Sequence, residues 1–226
     1  MPYDVLNIYR SFLNSYLRNK YIDYEIIHPW RKNWQFIVLH SLRVEEYAMQ
    51  IIKADYSNFS FNTIKNIKIA SIFHDIGRIH NKENHATIGK EIIEEWFESN
   101  TTDLKKDDIN EILFLIENHS NKENKTNNLS LSILQDADIL DEIGVMSLFM
   151  ASNWINKEDP FFFNYLSKRF EQKEIDFCDK GFSILKTMEA KSILNRKKEF
   201  IHLLNEQLKN EIKGTEILFY EEMGRI

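Results

Sequence analysis

Imidazoles and carboxylates recur in this sequence where helical spacing calls for apolar residues. His40 lies three residues after Ile37 and four before Val44. His74 continues Ile67 and Ser71 at the same spacing, and Asp75 follows it directly. His119 comes three and four residues after Ile116 and Leu115. Asp138 comes four after Leu134, with Asp141 one turn on and Val145 beyond. His85 opens a segment whose face continues through Ile88, Gly89 and Ile92. Such groups are costly to bury unless they are paired or coordinated. One inward histidine is usually a hydrogen-bonded core residue. Several helices turning such groups inward together point instead to a metal centre. A mixed nitrogen and oxygen set suits Mn, Fe, Co, Ni or Zn more than Ca or Mg. The lack of a nearby thiolate argues against a structural zinc site.

The elements that must position these groups read as helices. The 226 residues include only 6 Gly and 3 Pro, well below average usage of roughly 7% and 5%, so long helices with few turns are expected. In WQFIVLHSLRVEEYAMQII, Ile37, Val44, Tyr47, Ala48 and Ile51 share one face. FNTIKNIKIASIF, HATIGKEIIEEW, DDINEILFLIENHS and LSLSILQDADILDEIGVMSLF repeat the pattern. Asp159-Pro160 reads as a cap opening PFFFNYLSKRF, and AKSILNRKKEFIHLLNEQLKNEI as a last long helix. SNTTDLKKDD and NKENKTNNL read as loops, and no alternating strand pattern or repeat appears. The expectation is an all-α protein: a metal-binding helical domain over 1–155, and a C-terminal helical extension over 156–226 packed on it.

The formal charge of -6 and the absence of a basic stripe argue against a duplex nucleic acid partner. The single cysteine, Cys178, excludes an internal disulfide and suits a reducing compartment. MPYDVLNIYR has no signal-like pattern, and no apolar run approaches ~18 residues, so a cytoplasmic protein without membrane spans is expected. Helical domains of this size often dimerise, so a homodimer is an open alternative to a monomer.

His40, the pair His74-Asp75 in IFHDIGR, and Asp138 in QDADILDEIG resemble the H…HD…D pattern of the HD-domain superfamily of metal-dependent phosphohydrolases. HSLRV, HATIG and ENHS around them match too, over roughly residues 33 to 150. The A-D-x-L context selects Asp138 over Asp136 and Asp141 as the ligand in such families. The run QDADILDEIGVMSLFMA, and a tail with spaced Lys180, Met188 and Arg196, are similar to small bacterial HD proteins that include nucleoside-triphosphate pyrophosphohydrolases.

The resemblance implies a single HD-domain helical bundle in which His40, His74, Asp75 and Asp138 hold one ion. His85 and His119 complete a second, with Asp75 bridging. It implies attack of metal-bound water on a nucleotide phosphorus, converting a (deoxy)nucleoside triphosphate to monophosphate and pyrophosphate. Manganese is among the ions that suit the set. Asp141 either accepts a proton or fixes the water, or is an outer carboxylate. Arg78, four residues after His74, either meets a phosphate or forms a surface salt bridge. Lys180 and Arg196 either add phosphate contacts or are solvated cations. His80 is an alternative to His85, which is preferred because Gly89 one turn on leaves room for a metal or substrate. Other phosphorylated small molecules fit the same ligands: phosphomonoesters, dinucleoside polyphosphates or cyclic nucleotides. A mixed-valent diiron oxygenase of the superfamily is the alternative from another class. His28 reads as a loop histidine, His202 as a packed or half-exposed helix residue, and Phe161–Phe163 as core.

Overall fold

The computed structural model describes residues 6–26, 31–54, 57, 59–124 and 126–224. His28 lies outside them. The all-α expectation holds: among the described residues the only strand-like pairing is an isolated bridge between Tyr21 and Asn33. The chain divides into two compact units, Met1–Asp141 and Glu142–Ile226.

In the first unit the central element is α3 (Phe61–Phe73). Ser60 starts it, its Oγ accepting from the Thr63 N–H at 3.0 Å. Positions 64–67 and 69–73 of α3 are buried, so this helix has to be enclosed on all sides. α2 (Trp34–Lys53) and α5 (Lys106–Asn118) pack on it, and α4 (His85–Ser99) packs on α5. α1 (Asn7–Leu17) turns Tyr9, Leu13 and Leu17 inward. Its Tyr9 and Phe12 meet Trp96 with ring centroids 5.6 and 5.1 Å apart. α6 (Leu129–Glu142) is buried from Ser130 to Asp141. Two polar residues on α3 find partners: Lys65 Nζ donates to Asp103 at 2.7 Å, and Asn66 Nδ2 to Asp108 and Glu111 at 3.0 and 2.8 Å.

Between α3 and α4 the chain makes a short 3-10 turn, Ile76–Ile79. A Cβ at Gly77 would run into the His85 carbonyl oxygen and lie 2.6 Å from the Gly89 amide nitrogen. The bare backbone of Gly77 therefore lets the start of α4 sit directly on the turn. Gly89 faces Ile76, the Gly77 amide and Ile116. Its open side thus looks onto this turn and α5, at ordinary contact distance, and not onto space for a ligand as its position in the sequence suggests.

The second unit contains α7 (Val145–Ala151), α8 (Phe162–Arg169), a π-helical turn Phe170–Glu174, α9 (Ile175–Ile184), α10 (Met188–Glu211) and α11 (Glu216–Met223). The boundary falls at 141/142, ahead of the expected 155/156, because residues 142–155 belong with the later helices: Lys197 Nζ donates to the Ile143 carbonyl at 2.8 Å. Asp159 accepts from the Phe161 N–H at 2.8 Å, and α8 begins at Phe162, two residues after the proline. Of the three phenylalanines expected in the core, Phe161 packs on Phe219, whereas Phe163 is exposed. His202 is exposed. No helix among the described residues is long and apolar enough to cross a membrane.

Two outcomes are expected. Gly77→Ala should lower unfolding free energy in urea by about 1–3 kcal/mol, the cost of overpacking, whereas Gly89→Ala, whose Cβ would meet nothing nearer than 3.4 Å, should cost less. An equal loss in both would contradict the turn contact. Cys178 is buried, and burial pushes its thiol up to about 11. Only about 0.1% of it is then thiolate at pH 8. Iodoacetamide labelling should be slow in the native protein at that pH and rapid in denaturant; equal rates would show the thiol to be accessible.

Candidate metal centre

Four histidines reach one buried volume of the first unit from four helices. His74 is the C-terminal cap of α3 and His119 that of α5, while His85 is the first residue of α4. Each of these three rings uses Nδ1 in the same way, donating to the carbonyl three residues back. The contacts are His74 to Ser71 at 2.8 Å, His85 to Lys82 at 2.7 Å and His119 to Ile116 at 2.7 Å. Two of these acceptors are last-turn carbonyls, which lack helical partners. Because a carbonyl only accepts, Nδ1 carries the proton, and the neutral ring turns a bare Nε2 inward. His40, in the middle of α2, is held at Nδ1 by the Asp141 carboxylate at 2.7 Å.

The Nε2 atoms converge on two carboxylates. His40 Nε2 lies 3.3 Å from Asp138 Oδ1, 3.4 Å from Asp75 Oδ2 and 3.2 Å from His74 Nε2. His74 Nε2 is 3.9 Å from Asp138 Oδ1. On the other side of Asp75, Oδ1 lies 3.3 Å from His85 Nε2 and 3.5 Å from His119 Nε2, and those two nitrogens are 3.1 Å apart. Asp75 is 2% exposed, and its Oδ1 has no hydrogen-bond partner among the described residues. The bare Nε2 atoms of His74, His85 and His119 and the orphaned oxygen of Asp75 thus crowd together, an arrangement that a cation resolves. The spacing fits one as well: metal bonds of about 2.0–2.2 Å put neighbouring ligand atoms about 3.0–3.4 Å apart. Three overlapping groups could hold an ion: His40, His74 and Asp75; His74, His119 and Asp138; and Asp75, His85 and His119.

Protein cations flank the acids. Arg78 Nε binds Asp75 Oδ2 at 2.6 Å, Lys122 Nζ binds Asp138 Oδ2 at 2.7 Å, and Arg43 Nε binds Asp141 Oδ1 at 2.7 Å. Burial alone would raise the Asp75 and Asp138 carboxyls. Arg78 beside the one and Lys122 beside the other, with the neighbouring imidazoles, hold both well below the usual carboxylate range. Burial pushes His74 down to about 3 and His85 down to about 4, keeping both neutral. For His40 burial acts in the same sense, but hydrogen bonds to Asp138 and Asp141 outweigh it, and the ring is pushed up to about 10.

The structure brings together all six residues read as ligands: His40, His74, Asp75, His85, His119 and Asp138. Asp141 lies behind His40, with Oδ1 held by Arg43 Nε and Oδ2 by His40 and Arg43 Nη2. His80 is exposed and bonds the Tyr16 hydroxyl at 2.9 Å, apart from the cluster. Arg78 forms a salt bridge with Asp75, and its carbonyl accepts from the Tyr24 hydroxyl at 2.7 Å. Lys180 and Arg196 belong to the second unit. There Lys180 pairs with Asp176 at 2.6 Å, and Arg196 with Ser192 at 2.9 Å. Arg43 and Lys122 escaped the reading of the sequence. Arg43, three residues after His40, carries a helical signal that could have found it; Lys122 sits in a polar loop that carries none.

Residues 37–143 match the family description HD domain. No curated protein matches the chain in sequence. Among solved structures, a predicted HD superfamily hydrolase from an uncultured Thermotogales bacterium is 18% identical with a TM-score of 0.61, over 91% of this chain and 92% of its own. Bacillus subtilis YpgQ, in complex with ADP, is 17% identical with a TM-score of 0.53, over 92% and 98%. The Lin1889 protein of Listeria innocua is 18% identical with a TM-score of 0.55, over 93% and 96%. These likenesses carry the fold, and the matched segment carries every residue of the cluster. The segment from 37 to 143, a little under half of the chain, is thus matched as an HD domain.

Proposed function

We propose that the protein is a metal-dependent phosphohydrolase acting on nucleotides, cleaving a (deoxy)nucleoside triphosphate to monophosphate and pyrophosphate. One observation carries the reading: four rings anchored at Nδ1 point Nε2 at the two oxygens of Asp75 and at Asp138. His40, His74, Asp75 and Asp138 would hold one divalent transition ion, and His85 and His119 a second shared through Asp75. Such ions supply water of lowered pKa and neutralise charge on phosphate oxygens. That phosphate chemistry is open to a protein of charge -6 follows from cations gathered at the site. The ADP held by the Bacillus subtilis neighbour supports a nucleotide over other phosphate esters.

The chain's own residues then have distinct tasks. Asp141 is a positioning residue: both its oxygens are engaged, so it orients His40 and does not take a proton from water. Arg43 in turn fixes Asp141. Lys122 neutralises Asp138. Arg78, bound to Asp75 and 3.4 Å from His85 Nε2 but partly open to solvent, is suited to meet a substrate phosphate.

Incubation with Mn²⁺ and a panel of ribo- and deoxynucleoside triphosphates, read by phosphorus NMR, should give monophosphate and pyrophosphate. Orthophosphate would point to phosphatase chemistry instead. No turnover, with copurified iron and oxygen consumption, would favour the diiron oxygenase, which the same six groups also suit. Asp75→Ala should lower turnover roughly a thousandfold or more and strip bound metal; wild-type loading in this variant would overturn the assignment. His85→Ala or His119→Ala should reduce the metal content by one ion per chain in elemental analysis. Unchanged content would leave a single-ion site.

A further inference from the structure

The second unit has a concavity of its own. It is open to solvent, offers about 410 Å³, and is lined by Trp154, Tyr165, Lys168, Arg169, Gln172 and Lys173 among others. That volume falls within the range of small-molecule sites, and none of these residues lies in the HD segment. Three cations face a single lining acid, Asp159, whose carboxylate is engaged by the Phe161 N–H at 2.8 Å. Arg169 is fixed from behind: its Nε lies 3.2 Å from Oε1 of Glu174, which is 3% exposed. Lys168 and Lys173 stand beside Arg169, and Lys173 also acts electrostatically on Glu174. Two further cations thus flank a guanidinium already held in place.

The helix geometry accounts for the cluster. Lys168 and Gln172, and Arg169 and Lys173, stand four residues apart and so share a face. The π-helical turn Phe170–Glu174 begins directly after Arg169. Such turns widen the helix locally and are frequent at functional sites. Tyr165 and the half-exposed ring of Trp154 add an aromatic wall, suited to a planar ring.

We propose that this concavity binds a phosphorylated small molecule carrying a planar ring, of the nucleotide class, without help from the metal centre. Lys168, Arg169 and Lys173 meet the phosphates, and Trp154 and Tyr165 meet the ring. The binding is independent of the reaction proposed above, because every contact comes from the second unit.

The test is calorimetric titration of the full-length, metal-free protein with ADP in EDTA, and separately with pyrophosphate. Wild-type protein should bind one ADP per chain. Lys168→Gln with Lys173→Gln should weaken this by about tenfold or more, the range for charged hydrogen bonds. Lys191→Gln with Lys213→Gln, which removes equal charge elsewhere on the unit, should not. Lys122→Gln, which removes a cation from the metal centre, should leave ADP binding unchanged. Trp154→Ala should weaken ADP binding but not pyrophosphate binding. The proposal is overturned by absent ADP binding in EDTA, by equal affinity in the Lys168/Lys173 variant, or by an equal loss in Lys122→Gln or Lys191/Lys213. Unchanged ADP affinity in Trp154→Ala overturns the role of the ring. Turnover with Mn²⁺, measured on the same preparations, reports the metal centre separately.

Discussion

Burying the HD pair is the constraint on which the first unit turns. An isolated carboxylate taken out of water is strongly destabilising unless it is paired and hydrogen-bonded. Here three acids are buried close together, and each has one cation of the chain: Asp75 with Arg78, Asp138 with Lys122, and Asp141 with Arg43. The balance is incomplete in one place. Asp75 Oδ1 faces three imidazole nitrogens and no donor. A fold that encloses such a group at the end of its central helix has kept a site that favours a positive ion.

Helix ends do much of the positioning. Rings at the ends of α3 and α5, and at the start of α4, bond a carbonyl three residues back, so the backbone itself sets tautomer and direction. His40 lacks this local support, since it sits within α2. Its orientation comes from Asp141, a hundred and one residues away, and Arg43 holds that acid. Three rings are therefore locally determined and the fourth depends on the packing of α6 against α2. The contact of Gly77 with the start of α4 fixes how far His85 stands from Asp75, making a glycine outside the ligand set part of its geometry.

The two units distribute charge differently around their polar features. In the first, cations are spent on buried acids of the chain. In the second, one arginine is held by a buried glutamate, and neighbouring lysines face a concavity. Net charge therefore says little about where an anion can bind; what matters is whether local cations already have carboxylate partners.

Local period made the helices between residues 34 and 142 and the six inward groups legible, whereas the run expected to continue through Val145 breaks at Gly144 and leaves Val145 exposed. Burial repeats at three- and four-residue steps within one helix, so a histidine that keeps step with Ile37 and Val44, or with Ile67 and Ser71, must face the interior wherever that helix goes. Composition did the same for fold class, since so few glycines and prolines leave little material for turns. Tertiary structure decided what depends on contacts between distant segments. Lys122 reaches Asp138 from a loop without periodicity, and Asp141 takes its place behind His40 only when α6 meets α2. Gly89 looks onto the Gly77 turn, which neighbouring residues do not reveal. The division at 141/142 follows from Lys197 reaching back to Ile143, a contact across most of the second unit. Local period fixes which way a side chain faces; only packing fixes what it meets there.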